Sequence, residues 1–375
     1  MTISRVPLSD LILEVDVRNR DLKYDNLLGV TISKKFIASV ANVIGTDLSN
    51  YKIISSNQFA CSLMQVSRDG GIAVSLYKGE KEAIMSPAYY IFTVKGDRVL
   101  PDYLDLVFRN KEFDREAVFL AVGGVRGTLT WEEFQSMRIK LPSISKQKEI
   151  LQKYAAIEKR NEMLFEICSK ITQEGSLIFR NMLKNNTSEY LFGDVVSLLK
   201  DGTHNPPSRV DNGIPLIAGQ TIENGFISYE KMTYISEDDY KIIHNKYHPI
   251  EFDLVMTKIG TVGKVGLLRK KDIPIAIHCN SALIRFKENI IDQLTAYWLL
   301  TSTNFQNSLK EQMISSVQDF LSLSQIANIK VQIPFKEQNK KQFCLLGKFT
   351  KLLSSYQDEI EINKKIQNLL LLALN

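Results

Sequence analysis

The chain has 375 residues, 44% of them hydrophobic, with a formal charge of +5 and a pI near 8.8. That length calls for two domains of ordinary size, and the apolar content suffices for two cores. The mild basic excess permits nucleic-acid binding without requiring it. The scattered Cys61, Cys168, Cys279 and Cys344 form no C-x-x-C pair, which argues against a zinc ribbon and for a reducing compartment. No apolar run reaches the ~18 residues of a membrane span. The opening Met1-Thr2-Ile3-Ser4-Arg5 has no hydrophobic signal core, so a cytoplasmic location is expected.

Residues 1–142 read as a mixed α/β unit. Gln58–Met64 and Ile72–Leu76 have strand character and are divided by the turn Arg68-Asp69-Gly70-Gly71. Tyr89–Val94 is a further strand, and Pro101–Phe119 reads as one helix with Leu104, Val107, Phe108 and Phe113 on a single face. Gly123-Gly124-Val125-Arg126-Gly127 is a loop with one arginine.

From Gln147 to Met182 the chain has no proline, and Ile150, Ile157, Leu164, Ile171 and Ile178 recur every seventh residue. Tyr154, Asn161, Cys168, Gly175 and Met182 hold the partner positions, which gives a coiled-coil seam. A helix with one narrow apolar stripe needs a second helix to cover it. The pattern returns near the C-terminus in Leu346, Phe349, Leu353, Tyr356, Ile360, Asn363, Gln367, Leu370 and Leu374. Asn161 and Asn363 are polar seam residues of the kind that fixes register.

Between the two helices, Lys184–Ser188 is a linker, and a second unit begins near Tyr190. Phe252–Thr257 reads as a strand entering a tight glycine turn, Gly260-Thr261-Val262-Gly263. Asn280–Phe286 alternates as a strand, and Asp292–Gln312 reads as a helix.

The two halves are a duplication. Leu141-Pro142 and Ile333-Pro334 precede the two long helices, and 334 − 142 = 192 residues separate the prolines. The same offset pairs Phe113 with Phe305, Val125 with Val317, Leu129 with Leu321, Phe134 with Ile326 and Ile139 with Val331. The expected organisation is therefore a unit over 1–142, a spacer helix over 143–184, a second unit over 188–334 and a second spacer helix over 335–375. The fold class is α+β: two unlike globular units separated by a pair of long antiparallel helices with an internal pseudo-twofold repeat.

This plan resembles the specificity subunit of type I DNA restriction–modification systems. In the second unit the resemblance rests on Asp201-Gly202-Thr203-His204, Gly213-Ile214-Pro215-Leu216, Gly225-Phe226-Ile227, Tyr234-Ile235-Ser236 and Asp253-Leu254-Val255-Met256-Thr257 with its glycine turn, in that order. In the first unit it rests on Ser86-Pro87-Ala88-Tyr89, Gly124-Val125-Arg126-Gly127 and Leu141-Pro142-Ser143-Ile144 with Gln147. Glu337-Gln338 stands one residue nearer its proline than Gln147 does, which implies a shifted start for the second helix. The resemblance implies two target recognition domains, each reading half of a split sequence in double-stranded DNA. It also implies two methyltransferase subunits docked on the helices, and motor-nuclease (restriction/translocase) subunits that join them. It implies a chain that does no chemistry and binds no cofactor; S-adenosylmethionine, ATP and magnesium belong to the partners.

The residue types allow narrower readings. Lys34, Lys35, Arg68, Arg126 and Lys258 are the basic candidates for DNA contact, each weighed against an ordinary surface charge. Thr257, Lys258 and Thr261 border backbone N–H groups of the glycine turn that suit phosphates, against the plainer reading of a hairpin turn. Asn205-Pro206-Pro207-Ser208 resembles an amino-methyltransferase motif but ends in a serine that cannot stack on a base. No glycine-rich cofactor turn accompanies it, so a stiff loop is the better reading. His244 and His248 are four apart, but Pro249 follows and no Glu follows His244, which argues against a zinc site. The competing function classes are a stand-alone methyltransferase or nuclease with fused recognition domains, and a two-armed protein-interaction scaffold.

Overall fold

The computed structural model describes residues 5–40, 45–121, 127–184, 187–202, 207–244, 247–314 (Ile314 in its backbone alone) and 320–374. Val125, Arg126, Thr203, His204, Asn205, Pro206 and Val317 lie outside the described residues. The chain divides into two compact units, Met1–Glu162 with Glu361–Asn375, and Met163–Ile360.

In the first unit a four-stranded antiparallel sheet has the order Ile12–Val15, Tyr90–Val94, Phe59–Ser62, Ala73–Leu76. A second sheet orders Phe36–Ala38, Leu27–Val30, Ala83–Met85 and Lys52–Ile54, with its middle pair parallel. Arg5–Pro7 pairs with Arg138–Lys140 just before the long helix. The core is strongly aromatic: Phe59 stacks on Phe92 at 5.0 Å, Tyr90 on Trp131 at 4.7 Å, and Phe108 packs against both Phe59 and Phe134. Such ring pairs add to the area they bury.

The second unit repeats the strand order of the first unit's larger sheet. Its large sheet runs Val196–Asp201, Ser281–Phe286, Leu254–Thr257, Val265–Leu267, and is extended by Phe226–Ile227 and Ile222–Glu223. Its smaller sheet again has a parallel pair, Ile214–Ile217 with Ala276–Ile277. Thr187–Leu191 pairs with Lys330–Pro334, so the expected linker gives way to a strand at Thr187. Capping boxes stand one repeat apart. Thr130 and Glu133 open the helix Trp131–Ser136, and Ser322 and Gln325 open Leu323–Ala327, with 322 − 130 = 192. Each box satisfies two backbone donors that the first helical turn leaves unpaired.

Each of the single helices expected over Pro101–Phe119 and Asp292–Gln312 is two. Pro101–Phe108 and Lys111–Ala121 break at Asn110, and Gln293–Thr301 and Thr303–Ile314 break at Ser302, one repeat later. Asn110 accepts from Glu112 N at 2.9 Å and donates to Leu371 O at 2.5 Å. Ser302 Oγ donates to Leu299 O at 2.7 Å and accepts from Phe305 N at 3.3 Å. Short polar side chains that bond the local backbone compete with helix propagation.

The first long helix is continuous over Ile144–Met182, 39 residues and roughly 58 Å at 1.5 Å per residue. Its burial follows the heptad. Ile150, Tyr154, Ile157, Asn161, Leu164, Cys168, Ile171, Gly175, Ile178 and Met182 are buried or half-buried, and between Gln152 and Asn181 only Phe179 joins them. The second long helix spans Lys340–Leu372 behind a 3-10 turn, Glu337–Asn339. Leu346, Leu353 and Ile360 are buried and Phe349, Tyr356 and Leu370 half-buried, as the sequence pattern requires; Leu374 is buried just past the helix end. Full burial of one such side chain contributes about 1.5–3 kcal/mol.

Both ends of the helix pair are anchored within their own units. In the first, Leu371 and Leu374 pack with Ile150, Leu151 and Tyr154, and Asn363 Nδ2 donates to Asn161 Oδ1 at 2.8 Å inside the seam. In the second, Cys168, Ile171, Ile178 and Phe179 share a core with Phe343, Leu346, Phe349 and Leu353. There Arg269, 3% exposed, chelates Asp272 and reaches Asp358 of the second long helix at 3.0 Å.

The helix starts also correspond. Gln147 is fully buried, accepts from Leu100 N and donates to the Arg98 and Pro142 carbonyls, each at 2.9 Å. At 147 + 192 = 339, buried Asn339 donates to Phe335 O at 2.9 Å. The amide therefore keeps the repeat spacing, and the start differs in the 3-10 turn that precedes the second helix.

Candidate nucleic-acid interface

The motif residues of the second unit meet at one end of its large sheet. Val196–Asp201 and Leu254–Thr257 both run antiparallel to Ser281–Phe286, with Asp201 opposite Ala282 and Thr257 opposite Ser281. The chain leaving Asp201, the chain leaving Thr257 and the chain entering Ser281 therefore converge. Gly202 lies so close to the Ile277 and His278 carbonyls that a Cβ would collide with them.

Thr257–Lys264 is the hairpin turn that the glycines suggested. Gly260 and Gly263 have φ of +74° and +88°, a region open to glycine and costly for other residues. Buried Thr257 ties the turn: its Oγ1 donates to Thr261 O at 2.5 Å and accepts from Lys264 N at 3.0 Å. Gln306 Nε2 fastens it to the following helix through Gly263 O at 2.9 Å.

Lys258 pins this corner together. It is 2% exposed, its Nζ lies 3.1 Å from Asp201 Oδ1, and it sits 5.0 Å above the Phe320 ring. Its N donates to Asn280 O and its O accepts from Leu321 N. Lys258 is thus held inside the turn, whereas Thr261 and Lys264 are exposed at its tip.

The first unit has the matching corner. Leu129 N donates to Leu63 O at 3.0 Å, as Leu321 N does to Lys258 O at 2.9 Å, with 321 − 129 = 192. Arg68 consequently lies in the loop equivalent to that of Thr261. Its guanidinium is exposed and 2.8 Å from its neighbour Asp69. Lys34 is turned inward: its Nζ donates to Ile72 O and lies 2.7 Å from Asp114, which also accepts from Ile72 N at 3.0 Å. Lys35, the next residue, is exposed.

The seven candidates therefore separate by environment. Lys35, Arg68 and Thr261 face solvent; Lys34, Thr257 and Lys258 are engaged internally; Arg126 is outside the described residues. The carboxylates that draw in the two lysines, Asp114 and Asp201, carried no signal of that role in the sequence. Neither did the pairing of fully buried Asp253 with Arg285, whose Nε and Nη2 reach its two oxygens at 2.7 Å each.

A buried carboxylate left without its cation is strongly destabilising. Lys258→Met is accordingly expected to lower stability by on the order of 2–4 kcal/mol in urea unfolding, discounted because Asp201 keeps 22% side-chain exposure. The salt dependence of DNA binding should not move. Unchanged stability with a salt slope reduced by about 0.9 would instead put Lys258 on a phosphate.

The remaining motifs have local explanations. Ser208 N donates to Asp239 Oδ2 at 2.9 Å, which ties the end of the Asn-Pro-Pro-Ser loop to the helix Glu237–His244. The His244 and His248 rings lie 4.1 Å apart, and burial, then the neighbouring imidazole, hold His244 below the ordinary histidine range. Among the described residues no three metal-binding side chains gather, and no helix is long and apolar enough to cross a membrane.

The two units share the four-strand order of their larger sheets and differ in the loops at the sheet ends. Residues 194–371 match the model of the type I restriction modification DNA specificity domain. The sequence is 24% identical over 263 residues to the type I restriction enzyme MjaVIII specificity subunit of Methanocaldococcus jannaschii, covering 64% of this chain and 62% of that protein's length. The fold is similar to that of the type I restriction–modification system S subunit from M. genitalium, with a TM-score of 0.55 and 16% identity over 98% of this chain and 94% of that one. Over the spans matched, the chain is similar to the specificity subunits of type I restriction–modification systems.

Proposed function

We propose that this chain is the DNA-reading subunit of a type I restriction–modification complex. Each unit reads one half of a split target, with recognition domains over 1–142 and 188–334. The long helices, related by a pseudo-twofold repeat, fix the unread gap. Two methyltransferase subunits dock on the helix pair, and motor-nuclease subunits join them on double-stranded DNA. Methyl transfer with S-adenosylmethionine, and ATP- and magnesium-dependent translocation and cleavage, belong to those partners. This chain supplies shape, charge and spacing, and is not itself an enzyme.

One observation supports this reading: the four-strand order of the larger sheet occurs twice, with different residues at the equivalent sheet ends. A protein with two unlike heads suits an asymmetric, split site. Lys35, Arg68 and Thr261 are the contacts we propose from the sequence candidates. Phosphate contacts position the protein, and base contacts specify the sequence. Exchange of residues 188–333 for those of a related chain with another target is the test. Methylome sequencing should show one half-site replaced and the other retained. A change in both halves, or in neither, would contradict modular reading.

A further inference from the structure

We propose that the second unit carries a phosphate-gripping strip that holds duplex DNA without reading its sequence. This inference rests on the DNA-reading function proposed above. A groove runs between the start of the helix Lys340–Leu372 and the first turn of the helix Gln293–Thr301. Leu294, Phe343 and Gly347 form its floor, and the exposed Lys336, Lys340, Lys348 and Lys351 line it. At 100° per residue, Lys348 and Lys351 lie about 80° and 20° around the helix from Lys340, so the three share one face.

The two carboxylates of the groove are already occupied. Asp292 caps the helix Gln293–Thr301, accepting from Thr295 N at 3.0 Å and Thr295 Oγ1 at 2.9 Å. Glu337 pairs with Lys340 at 2.5 Å. Among the described residues no carboxylate is within ion-pair distance of Lys336, Lys348 or Lys351. Three uncompensated cations on one groove raise its potential and favour a polyanion.

Gly347 points the same way. Glycine inside a helix costs about 1 kcal/mol relative to alanine. Packing does not demand it here, because a Cβ would meet only Leu294, at an ordinary 3.7 Å and 3.9 Å. Its absence keeps the floor open to close approach by a backbone. From Lys340 to Lys351 the helix rises roughly 16 Å. A DNA strand turns once around the duplex in about 10–10.5 base pairs, so about two or three successive phosphates of one strand can face a strip of that length. Cations spread along a groove with no deep aromatic socket suit a phosphate backbone better than a protein anchor. The strip is not duplicated: one repeat earlier stand Ile144, Lys148, Ala156 and Lys159, with Ala155 in place of Gly347.

The test uses the full chain with Lys336→Gln, Lys340→Gln, Lys348→Gln and Lys351→Gln combined. Binding to a random-sequence duplex and to the duplex identified by methylome sequencing is followed across a salt series. Both affinities should fall by the same factor, their ratio should hold, and the salt slope should flatten by roughly 3. The corresponding Lys→Arg variant should restore the slope, which separates charge from folding. Wild-type affinity and slope in the Gln variant would overturn the proposal. So would loss of methyltransferase-subunit binding with an unchanged slope, which would make the strip a dock for an acidic protein. If the wild-type chain, with its methyltransferase partners, shows no preference between the two duplexes, the DNA-reading function fails instead, and the slope comparison still reports on the strip.

Discussion

Replacing Gly175 with leucine is expected to remove much of the stability of the second unit. The edge of the Trp298 indole lies on this glycine, and even a Cβ would overlap it. Trp298 has no retreat: it is 1% exposed, and its Nε1 donates to Thr350 Oγ1 at 2.9 Å and Leu346 O at 3.2 Å. Both partners belong to the second long helix, so the tryptophan joins the two long helices within this unit. Overpacking a dense core typically costs 1–3 kcal/mol and occasionally more, and about 3–5 kcal/mol follows deletion of a buried tryptophan. Leucine at 175 must either displace the indole or part the helices, so a loss of about 3–5 kcal/mol is expected. Urea unfolding measures it, with Ser176→Ala on the exposed side of the helix as the control, expected to stay within about 0.5 kcal/mol of the wild type. Equal stability of the Gly175 and Ser176 variants would mean that the indole does not cover this glycine.

The seam was legible because a period of seven is a local property of sequence, and burial along Ile144–Met182 follows it almost residue by residue. The meaning of Gly175 was not legible. It occupies a seam position, but the ring that requires it is 298 − 175 = 123 residues away. Thr350 stayed hidden for the same reason. Lys34 and Lys258 stood among the candidates for DNA contact because their partners, Asp114 and Asp201, lie 114 − 34 = 80 and 258 − 201 = 57 residues off. The repeat offset held wherever the two units are equally long. It carries the strand Ala73–Leu76 onto Val265–Leu267, but Phe59–Ser62 reaches Leu254–Thr257 only with 254 − 59 = 195, since the turn that follows it, residues 63–72, is three residues longer than its counterpart 258–264. The helix breaks at Asn110 and Ser302 were missed because hydrophobic periodicity outweighs one short polar side chain in any window reading.

The largest functional effect is expected from changing the length of the proposed spacer. Each long helix contributes to both units: Ile144–Met182 crosses the division at Glu162, and Lys340–Leu372 crosses it at Ile360. The buried Asn161–Asn363 pair penalises a slip of one helix against the other, because either amide would lose its partner inside the seam. A seven-residue insertion keeps the heptad phase and lengthens a helix by roughly 10.5 Å, about three base-pair rises of B-DNA. The measurement is methylome sequencing of cells whose chain carries one heptad inserted in each long helix, between Asn161 and Leu164 and between Ile360 and Asn363. The same two half-sites are expected, with a gap longer by about three base pairs. Methylation at the original gap by a folded variant would contradict it.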